Sequence, residues 1–151
     1  MNDCLICQRI EMIKNNINKY FVKELETGYV VIGDYQFFKG YTLFLCKEHV
    51  TELHFLDETL RQRFLYELSL VGEAVYNAFK PDKMNYELLG NGDAHLHWHI
   101  FPRREGDGDV KGPVWWTDKD KMYSDDVRPG EHELNNMKKI LLLEIEKLEI
   151  K

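Results

Sequence analysis

The hydrophobic and polar positions along the chain predict a small antiparallel sheet packed against helices. The strand-like runs, rich in aromatic and β-branched residues, are 20–25, 29–33, 40–46, 86–89 and 95–101. The first two runs flank Thr27-Gly28, which is typical of a hairpin turn, and the last two flank the segment 90–93. That segment reads Gly-Asn-Gly-Asp, a composition that favours a tight hairpin connection.

Helical periodicity is clearest in the segment that follows Asp57, a residue type that caps first turns. Apolar residues recur at intervals of three and four positions over 60–78, and Pro81 ends the pattern. A second helix is predicted over 131–149 and a short one within 4–17. Strands that arrive as hairpins, with helices in separate blocks, indicate an α+β fold.

Length and composition describe one ordinary globular domain. The chain has 151 residues, and we predict a single domain over 1–151. Hydrophobic residues make up 44% and charged residues 30%, a balance that excludes fibrous and disordered classes. The segment 102–113 carries glycines and charges without periodicity, so it is predicted to be a loop that could serve as a lid.

The charge balance is acidic, with 26 Asp and Glu against 20 Lys and Arg and a net charge of −6. General affinity for nucleic-acid polymers or anionic membranes needs a basic face, so we expect neither partner. A local pocket that binds an anion is still possible in a chain with a negative net charge. No apolar run reaches the ~20 residues of a membrane span, and no signal-peptide pattern opens the chain. These features predict a cytoplasmic protein.

Three of the six histidines lie in one predicted strand, at His95, His97 and His99. Residues two apart on a strand point to the same side, so the three imidazoles share one face. The opposite side carries the apolar residues Leu96, Trp98 and Ile100. The apolar side is expected to pack on a core, and the histidines then line a cleft.

Two kinds of chemistry use several imidazoles on one face. Neutral imidazole nitrogens are good metal ligands. Alternatively, an imidazole nitrogen can attack phosphorus when an acceptor holds its other ring N–H, while a neighbouring imidazole handles protons. Near the start of the chain, Cys4 and Cys7 form a Cys-x-x-Cys, which suggests a metal half-site or a redox pair.

The run His-Leu-His-Trp-His-Ile-Phe over 95–101 resembles the signature of the histidine-triad (HIT) family, in which three histidines alternate with apolar residues. Other stretches that resemble bacterial members are Cys4-Leu5-Ile6-Cys7, 42–49, Pro102-Arg103 and 112–117. The resemblance covers about residues 4–120, with the C-terminal helix at about 131–149 outside it. One departure is Cys46, where the family more often has proline.

The resemblance implies a HIT-like fold, with an antiparallel sheet of about five strands, one long helix and a C-terminal helix. It also implies a hydrolase or transferase that cleaves at the α-phosphate of nucleoside phosphoramidates, dinucleoside polyphosphates or nucleotide esters. His97 corresponds to the family's nucleophile, which forms a nucleotidyl-histidine intermediate. His99 would contact the α-phosphate and assist the leaving group, and Asn91 would bind a phosphate oxygen.

Members with the Cys-x-x-Cys bind a structural zinc, and the matching ligands here are Cys4, Cys7, His49 and His95. The alternative for the cysteines is a pair of packed thiols. No organic cofactor is implied. The short segment 92–94 lacks the Gln or Ser that touches the phosphate or leaving group in many relatives, which bears on substrate preference.

Family members usually form homodimers, and the long helix over 57–79 carries apolar residues outside its main stripe, at Leu65, Tyr66 and Leu70. These residues predict an interface with a second copy, or cover by the C-terminal helix. Two other functions stay open at this point. One is a nucleotide-binding regulatory module with little turnover, and the other is a metallohydrolase that uses the three alternating histidines as its metal site.

Overall fold

The computed structural model describes residues 3–109 and 111–149, so the ends of the predicted domain 1–151 lie outside the described residues. The helices are α1 (Leu5–Lys14), α2 (Glu58–Phe79), α3 (Lys119–Met122) and α4 (Glu131–Glu149). The strands are β1 (Phe21–Glu24), β2 (Gly28–Ile32), β3 (Thr42–Cys46), β4 (Lys83–Glu87) and β5 (His97–Arg103). Short 3₁₀ turns occupy Leu53–Phe55, Val114–Trp116 and Asp125–Val127.

The five strands form one sheet in the order β1-β2-β3-β5-β4, and every neighbouring pair is antiparallel. This arrangement confirms the predicted α+β fold with about five strands. The order places β5 in the interior of the sheet and leaves β4 with a free edge. Within the described part of the chain, none of the helices has the length and apolar character to cross a membrane.

The long helix α2 begins and ends as its sequence predicts. The Asp57 carboxylate accepts a hydrogen bond from the Leu60 amide at 3.0 Å, and Lys80 ends the helix in a left-handed conformation just before Pro81. The apolar stripe through Phe64 and Val71 is buried. Helices α2 and α4 pack against each other and cover one face of the sheet, where Ile100 of β5 is also buried.

The predicted limits of the two strands around the histidines are wrong, and so is the tight turn predicted between them. Strand β4 is Lys83–Glu87 rather than 86–89, and β5 begins at His97 rather than at 95. The two strands are joined by the long connection 88–96, not by a tight turn. Leu96, the residue before β5, does not continue the strand, because its amide donates to the Val50 carbonyl at 2.8 Å instead of to a neighbouring strand.

The segment 102–113 is only partly a loop. Its first two residues continue β5, in register with β4, and Val110 lies outside the described residues. The Arg103 guanidinium donates to the Asp107 carboxylate, to Asn85 at 2.9 Å and to the Gly112 carbonyl at 2.8 Å. These contacts tie both ends of the segment to the sheet.

A buried carboxylate that the sequence pattern does not predict joins α2 to the first hairpin. Glu67 is 2% exposed, and its oxygens accept hydrogen bonds from the amides of Glu26 (3.0 Å) and Thr27 (2.9 Å) and from the Thr27 hydroxyl. Arg63 supplies an opposite charge at 3.2 Å. Glu67 therefore satisfies the backbone donors of the turn that would otherwise be buried unpaired.

Candidate functional site

The N-terminus of α1, the residues after β3 and the end of the connection before β5 bring four possible metal ligands together. Ligand atoms of Cys4, Cys7, His49 and His95 all lie within 4.8 Å of one another. The Nδ1 atom of His95 is 3.4 Å from the Cys7 sulfur, 3.6 Å from the Cys4 sulfur and 3.2 Å from Nδ1 of His49. The structure therefore brings together the four residues that the family resemblance implies as metal ligands.

The spacing of these atoms fits a tetrahedral ion. Metal–sulfur bonds of about 2.3 Å and metal–nitrogen bonds of about 2.0–2.1 Å give tetrahedron edges of roughly 3.3–3.8 Å. The other nitrogen of His95, Nε2, donates to the Cys46 carbonyl at 2.8 Å, which leaves Nδ1 as the lone-pair atom facing the cluster. Burial lowers the pKa of His95 and favours that neutral form. The four residues could hold a metal ion with protein ligands alone.

His97 is held by the backbone of the residue two positions before it. Its Nδ1–H donates to the His95 carbonyl at 2.6 Å, and the side chain is 6% exposed. Because a carbonyl oxygen can only accept, Nδ1 carries the proton and Nε2 of the neutral ring keeps a free lone pair. His97 and His99 line the same cavity, with ring centroids 4.8 Å apart.

His99 has a tyrosine partner from the start of β3. Its Nδ1 atom lies 2.6 Å from the hydroxyl of Tyr41, and the Tyr41 ring stacks on Phe101 at 4.1 Å between centroids. Burial, with a smaller contribution from His97, lowers the pKa of His99 to about 4. Burial raises the pKa of the Tyr41 phenol well above its ordinary value. Both groups are therefore neutral near pH 7.

The cavity in front of the two histidines has a volume of about 390 Å³. Residues of α1, β2, β3 and the segment 115–128 form its walls. Asp93 lines the cavity, whereas Asn91 is exposed in the connection 88–96 and is not among the lining residues. Strand β4 ends at Glu87, four residues before Asn91, so Asn91 lies in the long connection and not in the predicted tight hairpin turn. Its role as a phosphate ligand stays a prediction.

The charges around the cavity are mostly paired. Of the described residues that line it, the two cations are Arg9, which lies 2.6 Å from Asp34, and Arg128, which lies 3.0 Å from Asp125. A further carboxylate stands close by, since Glu87 of β4 is the direct strand partner of His99. The neighbourhood of the histidines therefore carries no surplus positive charge.

An aromatic side chain closes the cavity beside His99. The Trp115 ring meets His99 edge-on at 5.6 Å between centroids, and its indole N–H donates to the Glu87 carboxylate. Sequence reasoning did not single out Trp115, Glu87 or Tyr41 as site residues. Only the pairing of β5 with β3 and β4 and the fold of the segment after β5 bring them next to His99, so no local pattern identifies them.

An α+β domain with alternating histidines at the start of an interior strand, facing a cavity and adjoining a Cys₂His₂ cluster, defines the class of histidine-triad proteins. A family model described as the HIT domain matches residues 14–106. The chain belongs to this family. Membership supports a function in nucleotide binding or hydrolysis.

Individual relatives agree with this assignment. The chain is 28% identical to Protein hit of Bacillus subtilis (strain 168) over 132 residues, which cover 84% of this chain and 85% of that protein. A histidine triad protein from Bradyrhizobium japonicum has a similar structure, with a TM-score of 0.73, 25% identity and coverage of 86% and 94%. A zinc-bound histidine triad family protein from Mycobacterium smegmatis shares the fold, with a TM-score of 0.65, 18% identity and coverage of 98% and 96%.

Proposed function

We propose that the protein is a hydrolase or transferase that cleaves nucleotide substrates at the α-phosphate through a nucleotidyl-histidine intermediate. The observation that carries this proposal is the 2.6 Å hydrogen bond from His97 Nδ1 to the His95 carbonyl. It leaves Nε2 of His97 as a neutral nucleophile at a cavity that His99 also lines. A cavity of about 390 Å³ can accommodate a nucleoside monophosphate group.

In the first step, the Nε2 lone pair of His97 attacks the α-phosphorus and forms a P–N bond. The bond from phosphorus to the leaving group breaks, and the leaving group departs with that electron pair and takes up a proton. The His97 ring becomes positively charged, and its hydrogen bond to the His95 carbonyl strengthens. Water then attacks the phosphorus, the P–N bond breaks with its electron pair returning to Nε2 of His97, and the nucleoside monophosphate leaves as the attacking water gives up a proton to solvent.

A screen of purified protein tests this function. Adenosine phosphoramidate, a dinucleoside polyphosphate and a nucleotide ester should be supplied separately, and release of the mononucleotide should be measured. Turnover of at least one substrate is expected, and it should be lost in His97→Ala. Binding of nucleotide without turnover of any substrate would instead support a regulatory module.

The metal at the cysteine–histidine cluster is proposed to be zinc in a structural role. Two thiolates and two imidazoles are a preferred zinc ligand set, and a site filled by four protein ligands leaves no position for substrate. The fold shared with the zinc-bound protein from Mycobacterium smegmatis is consistent with this proposal. Zinc bound to His95 would also stabilise the backbone carbonyl that orients His97.

This arrangement does not favour a metallohydrolase built on three alternating histidines. His95 Nδ1 faces the cysteines, while the corresponding nitrogens of His97 and His99 are hydrogen-bonded to the His95 carbonyl and to Tyr41. The three rings therefore have separate partners and do not converge on one point. We assign binding of a metal to the first histidine and chemistry to the other two.

The charges at the cavity favour a substrate with few phosphates. Glu87 stands opposite His99 and Asp93 lines the cavity, whereas both cavity arginines already pair with carboxylates. Each additional phosphate in the leaving group would meet this negative charge. We therefore propose nucleoside phosphoramidates or simple nucleotide esters as preferred substrates over dinucleoside polyphosphates.

Glu87→Gln is expected to relax this preference. The amide keeps an oxygen acceptor for the Trp115 indole and removes one negative charge beside His99. We expect kcat/KM for a dinucleoside polyphosphate to rise roughly 5- to 10-fold relative to that for adenosine phosphoramidate, because a charge pair near a protein surface is worth about 1–4 kcal/mol. Glu73→Gln, on the exposed side of α2, is the matched control. An unchanged ratio in Glu87→Gln would show that Glu87 does not select the leaving group.

A homodimer is proposed on the basis of an exposed apolar face. Leu65 and Tyr76 lie on the same side of α2 as Gly72, which packs against the Tyr86 side chain of β4, and they are 39% and 49% exposed. Tyr86 of β4 is 44% exposed beside them, at the free edge of the sheet. Of the residues singled out from the sequence, Tyr66 is also exposed, but Leu70 packs partly against the core of its own chain.

Light scattering should report about 36 kDa at micromolar concentration, twice the chain mass of 18.0 kDa. The double variant Leu65→Glu/Tyr86→Glu should be a monomer, because it places charges at the centre of the apolar face. Leu143→Glu, which alters a leucine of α4 that is 49% exposed, should leave the mass unchanged. A monomeric wild-type protein at this concentration would exclude the proposed dimer.

A further inference from the structure

The hydrogen bond between Tyr41 and His99 has a consequence for how His99 meets substrate. We propose that Tyr41 is a positioning residue. Its hydroxyl donates a hydrogen bond to Nδ1 of His99 and thereby keeps the ring proton on Nε2, facing the cavity. The catalytic role of Tyr41 rests on the proposed function. The position of the ring proton on His99 does not, because it can be measured in the protein without substrate.

Tyr41 is held firmly enough to set the orientation of His99. The Gln36 side-chain amide, which is fully buried, donates to the Tyr41 carbonyl at 2.9 Å, and the Gly33 amide donates to the same oxygen at 2.9 Å. The Tyr41 ring is nearly parallel to Phe101, at an angle of 5°, and to His99, at 10°. Backbone and ring are thus fixed before substrate binds.

The direction of the hydrogen bond follows from which of the two groups can donate and which can accept. A tyrosine hydroxyl has one proton to donate, and the imidazole Nδ1 can act either as donor or as acceptor. Among the described residues, His99 is the hydrogen-bond partner of the Tyr41 hydroxyl. If Nδ1 donated, the phenolic proton would have no protein acceptor, and the half-buried hydroxyl would lose its hydrogen bond to the protein. The hydroxyl therefore donates, and Nδ1 accepts.

The effect of burial on the two pKa values agrees with this direction of the hydrogen bond. Burial raises the pKa of Tyr41 well above its ordinary value, so the hydroxyl proton stays on the phenol. It also lowers the pKa of His99 to about 4, so the ring is neutral near pH 7 and carries one proton. With Nδ1 as the acceptor, that single proton is on Nε2.

The two adjacent histidines then hold opposite tautomers. His97 has its proton on Nδ1 and a lone pair on Nε2, whereas His99 has its lone pair on Nδ1 and a proton on Nε2. One ring presents a nucleophile to the cavity and the other presents a hydrogen-bond donor. A donor beside a nucleophile suits the α-phosphate, because its non-bridging oxygens gain negative charge as the leaving group departs.

The experiment compares wild type, Tyr41→Phe and Tyr29→Phe as full chains labelled with ¹⁵N. Long-range ¹H–¹⁵N correlation spectra at neutral pH report which imidazole nitrogen carries the proton, and the signals of His99 are those lost in His99→Asn. Tyr41→Phe keeps the stacked ring and removes only the hydroxyl. Tyr29 is a buried tyrosine outside the cavity, so its variant is the matched control.

We expect wild type and Tyr29→Phe to show a protonated Nε2 and a hydrogen-bonded, unprotonated Nδ1 in His99. Tyr41→Phe should populate the other tautomer and lower kcat roughly 10-fold or more, while KM changes less than about 2-fold. A protonated Nδ1 in the wild-type protein would overturn the proposal, and so would a Tyr41→Phe variant with an unchanged spectrum or unchanged kcat. If wild type turns over no nucleotide substrate, the proposed function fails, and the spectra alone decide the tautomer of His99.

Discussion

Replacing His97 with alanine is expected to lower kcat by at least ~10⁴-fold, a loss of about 5 kcal/mol of transition-state stabilisation. In the proposed mechanism, Nε2 of His97 forms the bond to phosphorus, so the two-step pathway would not be available to the variant. His54→Ala is the matched control, because His54 is exposed in the turn before α2 and lies outside the cavity. Its activity should equal that of wild type.

Two further measurements separate loss of the nucleophile from loss of the fold. His97 is buried, so melting temperatures of the variant and wild type should be compared before rates are interpreted. Rapid quench of wild type with a radiolabelled substrate should trap a nucleotide on the protein through an acid-labile P–N bond. His97→Ala should trap none. An undiminished rate in a folded, purified His97→Ala protein would exclude the proposed mechanism.

Loss of the metal is expected to have the largest effect on stability. Protein purified without chelator should contain about one zinc ion per chain, and Cys4→Ser/Cys7→Ser should contain almost none. A ligand present at 100–1,000 times its Kd stabilises the folded state by about 3–4 kcal/mol. For a chain of this size, that loss corresponds to a fall in Tm of ~10 °C.

Activity should fall together with stability, because His95 contributes both one of the four possible metal ligands and the carbonyl that holds His97. Cys46→Ala is the matched control: this buried cysteine contacts His95 through its backbone carbonyl alone and is not among the four possible ligands. Its zinc content should match that of wild type. Metal-free wild-type protein with the same Tm and activity as the zinc-loaded form would support a pair of packed thiols instead.

The three longer helices and the alternating histidines of the site could be predicted from the sequence. The helix α2 follows from the cap at Asp57, the interval of three and four between apolar residues, and Pro81 beyond its end. The helix α4 has the bounds that its periodicity predicts, Glu131–Glu149. The alternation of histidines and apolar residues identifies a functional strand. These signals are local, since each depends on residues within a few turns or positions of one another.

The resemblance to the histidine-triad family extended prediction to residues far apart in the chain. It implied that His49 and His95 share a metal site with the two cysteines, and the structure places the ligand atoms of all four residues within 4.8 Å of one another. Spacing alone shows only that Cys4 and Cys7 are close, because the other two possible ligands, His49 and His95, lie 42 and 88 residues beyond Cys7. The boundaries of β4 and β5 could not be predicted in this way, since they depend on strand pairing.

The contacts that define the reactivity of the site were decided by the tertiary structure. Tyr41 and His99 are 58 residues apart, Glu67 and Thr27 are 40 apart, and each pair meets through the packing of separate elements. A tyrosine just before a strand and a glutamate within a helix have no local feature that reveals such a partner. The sequence by itself determines which elements form and which residue types can do chemistry, because periodicity and ligand type are properties of short segments. Tertiary structure decides which imidazole nitrogen is free, because that depends on a hydrogen-bond partner that only the folded chain brings into reach.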